Sequence, residues 1–172
     1  MSGHLLIDGY NVINSWKEFE SLRKENLEHA REILVQKVAE YSAFKGFKTQ
    51  VVFDAMNVSG DACAEKISGI EVIYTGEDET ADSWIERRAH ELGREKAKFF
   101  VVTSDYAEQL NVLGSGGHRI SAREFHEDYL KAKKDISERL TLPKKLLNRN
   151  ELGGRVSSDV LAVLEQMRRD KN

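Results

Sequence analysis

The sequence predicts an α/β fold of three layers, with helices on both faces of a central, mostly parallel sheet. Two observations lead there. Short and nearly continuous apolar runs, HLLID (4–8), KTQVVFDA (48–55), GIEVIYT (69–75), KFFVVTSD (98–105) and HRIS (118–121), alternate with stretches of helical periodicity. Apolar runs without in-out alternation are strands buried on both faces, the condition of a parallel sheet covered by helices. The chain has 172 residues, 40% of them hydrophobic, which suits one good-sized domain with a substantial core. The expected organisation is a single domain over residues 1–172. A basic helix and tail, 122–172, would pack on it or extend from it.

Each element follows from its local pattern. The first strand ends on Asp8, and Gly9, Tyr10 and Asn11 break the apolar run. Residues 16–45 read as helix, in two pieces that part near Asn26. Leu27, Ala30, Ile33, Leu34, Val38 and Tyr41 form the apolar stripe, and Gly46 is the C-terminal cap. The second strand closes on Asp54, before a polar loop with Asn57, Ser59 and Gly60. The third strand precedes GEDETAD, which leads into a helix over 80–96. The fourth strand ends on Asp105, followed by a helix over 105–113 and the glycine-rich turn GSGG (114–117). That turn lacks the Lys-Ser/Thr pair of a phosphate loop and does not follow a strand, so it is read as a turn. After the fifth strand come a helix over 122–140, an irregular stretch over 141–154 and a last helix over 156–169.

Composition narrows the function classes. No apolar run approaches the roughly 20 residues of a membrane span. The start, MSGHLLID, shows neither a basic leader nor a cleavage site, and the one cysteine, Cys63, cannot form an internal disulfide. These features lead us to expect a cytoplasmic protein. The five histidines (4, 29, 90, 118 and 126) have no metal-ligand spacing. Net charge is -3, but it is unevenly spread: seven Lys or Arg stand against Asp135 and Glu138 between 129 and 149, while residues 1–128 carry -8. An acidic body with a basic strap suits a polyanionic partner and a carboxylate-rich site, although a basic helix face can also be merely solvated.

The acids carry the chemistry. In open parallel sheets, sites form beyond the carboxyl ends of the strands. Three strands end there in Asp8, Asp54 and Asp105, and the helix after GEDETAD adds Asp82 with Glu79 before it. Asp82 precedes Ile85, Ala89 and Leu92 by three, seven and ten residues, which directs it along the buried stripe rather than out to water. Carboxylates brought together repel one another and call for a cation. Oxygen donors without a His or Cys cluster select Mg²⁺ or Mn²⁺. One or two such ions would activate a water and stabilise the leaving oxygen of a phosphodiester, with Asn11 and Ser104 orienting water or phosphate. A strand-end Asp is often only a turn former, a reading open for Asp54, and Asp78 in GEDE reads as solvated loop.

LLIDGYNVI, VVFDA, ETAD and VVTSD, in this order, resemble the YacP-like NYN domain, a group within the PIN-like nuclease superfamily. The resemblance covers most of the chain. It implies a PIN-like sheet with the five strands in the order 3-2-1-4-5 and a metal-dependent RNA endonuclease. By the same resemblance Asp8 matches the first-strand acid, Asn11 the Asn of DGYN, Asp82 the helix acid with Glu79 beside it, and Asp105 the acid after the fourth strand. Asp54 matches a second-strand acid. Bacterial members are similar to ribosome-associated enzymes that cleave mRNA during translation. Lys131, Lys133, Lys134, Lys144, Lys145 and Arg149 would then contact RNA phosphates without reading bases. Two rivals stand beside this reading. One is a non-catalytic RNA- or ribosome-binding module with a vestigial acidic site. The other is a metal-dependent phosphatase, whose pattern wants a second Asp where this chain has Tyr10.

Overall fold

Strand β1 (His4–Asp8) lies at the centre of the sheet, and the rest of the molecule is arranged around it. The computed structural model describes residues 3–54, 62–105 and 112–149, the last eight of them as backbone. The expected loop around Asn57, Ser59 and Gly60, most of the helix over 105–113 and the last helix fall outside these residues. The chain divides into two compact units, Met1–Lys133 and Lys134–Asn172.

The further strands are β2 (Lys48–Phe53), β3 (Cys63–Ile67), β4 (Ile70–Tyr74), β5 (Phe99–Val102) and β6 (His118–Ile120). Their order across the sheet is β3-β4-β2-β1-β5-β6. All neighbours are parallel except β3 and β4. The five expected strands thus stand in the expected order 3-2-1-4-5, and β3 is an additional antiparallel edge. It escaped the sequence reading because CAEKI has no apolar alternation: four of its five residues are exposed. Ser68 and Gly69 join β3 to β4 with φ of 50° and 88°. Two successive positive φ values belong to the type I′ hairpin turn, so Ser-Gly was the legible sign of a hairpin.

The helices of the first unit are α1 (Gly9–Ser15), α2 (Leu22–Glu25), α3 (Leu27–Lys45) and α4 (Ala81–Arg94). Helix α5 (Ala122–Arg149) begins in that unit and runs into the second. The break at Asn26 is as expected: its side chain caps α3 by accepting from the His29 N–H. Gly46 ends α3 in the left-handed conformation, φ 75°. Helix α1 corrects the reading of Gly9–Asn11 as a plain break. Asp8 Oδ1 accepts from the Asn11 N–H at 3.0 Å, so the strand-ending acid is also an N-cap. Helix α5 is longer than expected and continues through Pro143 to Arg149. The stretch LTLPKKLLNR is rich in helix-forming Leu, Lys and Arg, which offset part of the roughly 3 kcal/mol that Pro143 costs through its missing donor and ring clash.

Each face of the sheet has its own core. On one face Leu5, Ile7, Val51, Phe53 and Val72 pack with α1, α3 and the first part of α5, through Val12, Leu34, Val38, Phe125 and Tyr129. On the other, Leu6, Val52, Ile73 and Val101 pack with Ile85, Ala89 and Leu92 of α4. Leu27, expected in the α3 stripe, is 40% exposed at the start of its helix. Trp16 anchors the first core. It packs near Phe19, Phe125 and Tyr129, and its Nε1–H donates to the Ala122 carbonyl at 2.9 Å. Trp16→Phe would leave that buried carbonyl without its donor and should cost about 1–3 kcal/mol in urea unfolding.

Gly9 opens α1 directly against the core. A Cβ there would lie 2.2 Å from Cε1 of the Phe53 ring. Gly9→Ala is therefore expected to destabilise by about 1–3 kcal/mol through overpacking, although alanine is the better helix former elsewhere. Chemical denaturation at neutral pH reads this directly.

Candidate active site

The parallel register brings the strand ends to one edge. Asp8 pairs level with Val52, and Asp54 follows two residues later, just beyond the last paired residue of β2, Phe53. Strand β5 ends at Val102, level with Ile7 and Ile120, and Thr103, Ser104 and Asp105 run on past it. Helix α4 starts over the same edge. Thr80 caps it by accepting from the Ser83 N–H, and Asp54 Oδ1 accepts from the Ala81 N–H at 2.5 Å. Asp54 thus ties the end of β2 to the first turn of α4, which carries Asp82.

Four carboxylates meet there. Asp8 is buried, 9% exposed, and its pKa is pushed up to about 6. Burial is the main cause; the Asn11 N–H opposes it, and the charges of Asp82 and Asp54 add to it. The Asp82 pKa is also raised, first by partial burial and then by Asp105 and Asp54. Asp82 is therefore the acid that couples electrostatically to the other three. Its orientation differs from the expectation. Asp82 is exposed, and the buried stripe of α4 is Ala81, Ile85, Ala89 and Leu92. Ala81 and Asp82 compete for the same edge of the helix. The small apolar side chain goes to the core, and the charged one stays in water, facing the other acids.

Asn11 joins two sides of the site. Its backbone N–H donates to Asp8, while its side-chain Oδ1 accepts from the Ser104 N–H at 2.9 Å. Ser104 Oγ in turn accepts from the Ala122 N–H at the start of α5. Asn11 and Ser104 are thus held as a brace between β1 and the segment after β5. Glu79 is not drawn into the acid cluster; its carboxylate is engaged by Arg87 of α4. Tyr10 is turned to the aromatic core, with its ring edge-on to Phe53 and its hydroxyl accepting from Arg31.

The donor chemistry fits a hard divalent cation. All four groups are carboxylates, and their mutual repulsion is what such an ion would relieve. Among the described residues, no group of three His, Cys, Asp or Glu closes tightly enough to hold an ion. The fit therefore lies in charge and donor type alone.

Of the basic strap, Lys131, Lys133 and Lys134 are exposed on α5, and Lys134 pairs with Glu138 at 3.9 Å. Lys144, Lys145 and Arg149 lie on its final turns, with side chains outside the described residues. Among the described residues, no helix is long and apolar enough to cross a membrane. Sequence reasoning passed over Arg31 and Tyr74, which lie near Tyr10. No spacing rule links a residue of α3 to the end of β4; only the folded sheet does.

The sequence matches the YacP-like NYN domain over residues 5–169. It is 38% identical over 167 residues to the uncharacterized protein YacP of Bacillus subtilis (strain 168), a match that spans 96% of both chains. The crystal structure of Rae1 (YacP) from Bacillus subtilis is similar at 36% identity and a TM-score of 0.72, over 96% of this chain and 94% of that one. A crystal structure of a tryptophan-to-leucine mutant of Rae1 (YacP) gives 40% identity and a TM-score of 0.68, over 78% and 79% of the two chains.

Proposed function

This chain belongs to the YacP-like NYN domain family, a family of PIN-like nucleases, and from that premise we propose that it is a metal-dependent RNA endonuclease. The observation that carries the proposal is the meeting of Asp8, Asp54, Asp82 and Asp105 at one sheet edge, where their charges oppose one another. NYN and PIN-like nucleases are generally dependent on divalent metal, and the oxygen-only donor set here suits Mg²⁺ or Mn²⁺.

In this reading Asp8, Asp82 and Asp105 hold the ion, directly or through water, and Asp54 supports them while capping α4. A bound ion supplies an activated water and charge stabilisation at the leaving oxygen of the phosphodiester. The chain itself does the rest. Asn11 fixes Asp8 relative to the Ser104 segment, so the acids from β1 and β5 keep their spacing as RNA arrives. Glu79, engaged by Arg87, serves at most as a neighbour of Asp82. Lys131, Lys133, Lys134, Lys144, Lys145 and Arg149 contact phosphates of the RNA or of a ribosome. The substrate in this proposal is mRNA, cut during translation in the cytoplasm.

The test is cleavage of a labelled mRNA by wild type and Asp8→Asn with Mg²⁺, Mn²⁺ or EDTA, both free and in a translating extract. Metal-dependent cleavage lost in the variant supports the proposal, and cleavage confined to the extract adds the ribosome as partner. RNA or ribosome binding without any cleavage would instead favour a binding module with a vestigial site. Asn11→Ala should lower cleavage by about 10- to 100-fold, as expected for a group that orients a ligand, and should barely move the melting temperature.

A further inference from the structure

Next to the acids, around Phe53 and its neighbours, lies a cluster the acid chemistry does not use. Tyr10, two residues beyond Asp8, packs edge-on to Phe53 with ring centroids 5.2 Å apart. Phe53, which immediately precedes Asp54, stacks on Tyr74 at 5.8 Å. Arg31 reaches them from α3. Its Nη1 donates to the Tyr10 hydroxyl at 3.0 Å, and its guanidinium lies 5.7 Å from the centre of the Tyr74 ring.

The partners of Arg31 differ from those of the arginines on α4 and at the start of α5, although Arg23 too donates to uncharged oxygens, those of Asn14. Arg87, Arg88 and Arg123 all pair with glutamates. Arg31 is half-buried, yet among the described residues it has no carboxylate at ion-pair distance, although four aspartates lie at the same end of the sheet. A guanidinium stays charged at any physiological pH, and a partly desolvated one gains from an anion. The Tyr10 hydroxyl occupies one of its five donors and the Tyr74 ring covers it, so the fork is held in place with donors to spare.

We propose that Arg31, set between the Tyr10 hydroxyl and the Tyr74 ring, binds an RNA phosphate next to the bond cut at the acid cluster. The proposal rests on the endonuclease reading. A phosphate supplies the counter-charge that Arg31 lacks, and its oxygens match the planar fork. A polyanion approaching four carboxylates also needs a fixed cation near them, and Arg31 is tied to Asp8 through the two hydrogen bonds of Tyr10. Tyr10 is the positioning residue. Its backbone N–H donates to Asp8 and its hydroxyl holds Arg31, so it sets the distance between phosphate and acids.

The test measures binding of a labelled single-stranded RNA oligonucleotide in EDTA over a range of salt, with Asp8→Asn as the uncut parent. Adding Arg31→Met should weaken binding by about tenfold, the loss of one charge-assisted contact. It should also lower the slope of log affinity against log salt by about 0.7, the value for one phosphate on a single strand. Arg31→Lys should keep the slope but bind more weakly, because it keeps the charge and loses the fork. In the cleavage assay Tyr10→Phe should raise KM more than it lowers kcat. Unchanged affinity and slope in Arg31→Met, with the parent binding RNA, would overturn this proposal alone. If Arg31→Met melts early, Arg31→Gln, which keeps a donor for Tyr10 and removes the charge, decides: affinity and slope equal to the parent overturn the phosphate role. A parent that binds no RNA, with a wild type that cuts none, would overturn the endonuclease reading and this proposal with it.

Discussion

Asp8→Asn is expected to lower cleavage by more than about a hundredfold, beyond what the loss of a merely orienting group costs. The chain should stay folded, because asparagine caps a helix as well as aspartate does and can still accept from the Asn11 N–H. In metal-free buffer at pH 7 the variant should even be the more stable protein. The Asp8 pKa rises from 3.8 to about 6 on folding, so the folded state holds this proton more tightly than the unfolded chain. As pH rises from about 4 to 6, the unfolded state ionises first and wild type loses stability. The loss is complete above about pH 6 and amounts to at most about 3 kcal/mol. Thermal melts in EDTA at pH 4 to 7, wild type against variant, should therefore diverge with rising pH. Mg²⁺ or Mn²⁺ should then close the gap by stabilising wild type alone. Parallel melts at all pH values would remove Asp8 from the strained cluster.

Phe53→Ala should cost about 3–5 kcal/mol, the range for emptying a large buried aromatic site. Phe53 is fully buried, and Tyr10, Tyr74 and the Gly9 backbone all pack against it. The same ring is what makes an alanine at Gly9 unwelcome, so the two substitutions should not add. In Gly9→Ala/Phe53→Ala the clash is gone, and the Gly9→Ala penalty should fall to nothing or turn slightly favourable. Urea unfolding of the four chains as a double-mutant cycle measures this coupling. Additive losses would show that Gly9 is not set by its approach to Phe53.

The parallel core was legible because buried strands and amphipathic helices differ in period, and LLI, VVF, VIY and FFVV are unmistakably of the first kind. The strand order was not legible from periodicity; it came from the resemblance carried by DGYN, ETAD and VTSD. Strand β3 was hidden because an exposed edge strand needs no apolar face, and α1 because its only local sign was an Asp that the strand also claimed. At the site, acids at strand ends could be read as one group because parallel strands share an edge. Two details could not. Glu79 and Asp82 lie three residues apart, yet Arg87 engages one and the other acids couple to the other. Whether Ala81 or Asp82 faces the core depends on the pitch at which α4 meets the sheet, and a helical wheel leaves both possible.

Strand β1 is made first and ends in the middle. Its neighbours on the two sides are β2 and β5, so one flank of β1 stays open until residues 99–102 have been synthesised. The four acids are spread from residue 8 to residue 105, and none of the early ones can meet its last partner sooner. A nascent chain that has not yet reached residue 105 therefore lacks one of the four acids, and a protein that cuts RNA would be inert up to that point. The same arrangement makes folding slow for its size, since the central pairings close long loops before any contact repays them. Truncated products that stop short of β5 lack Asp105 and a flank of β1, and should show no nuclease activity.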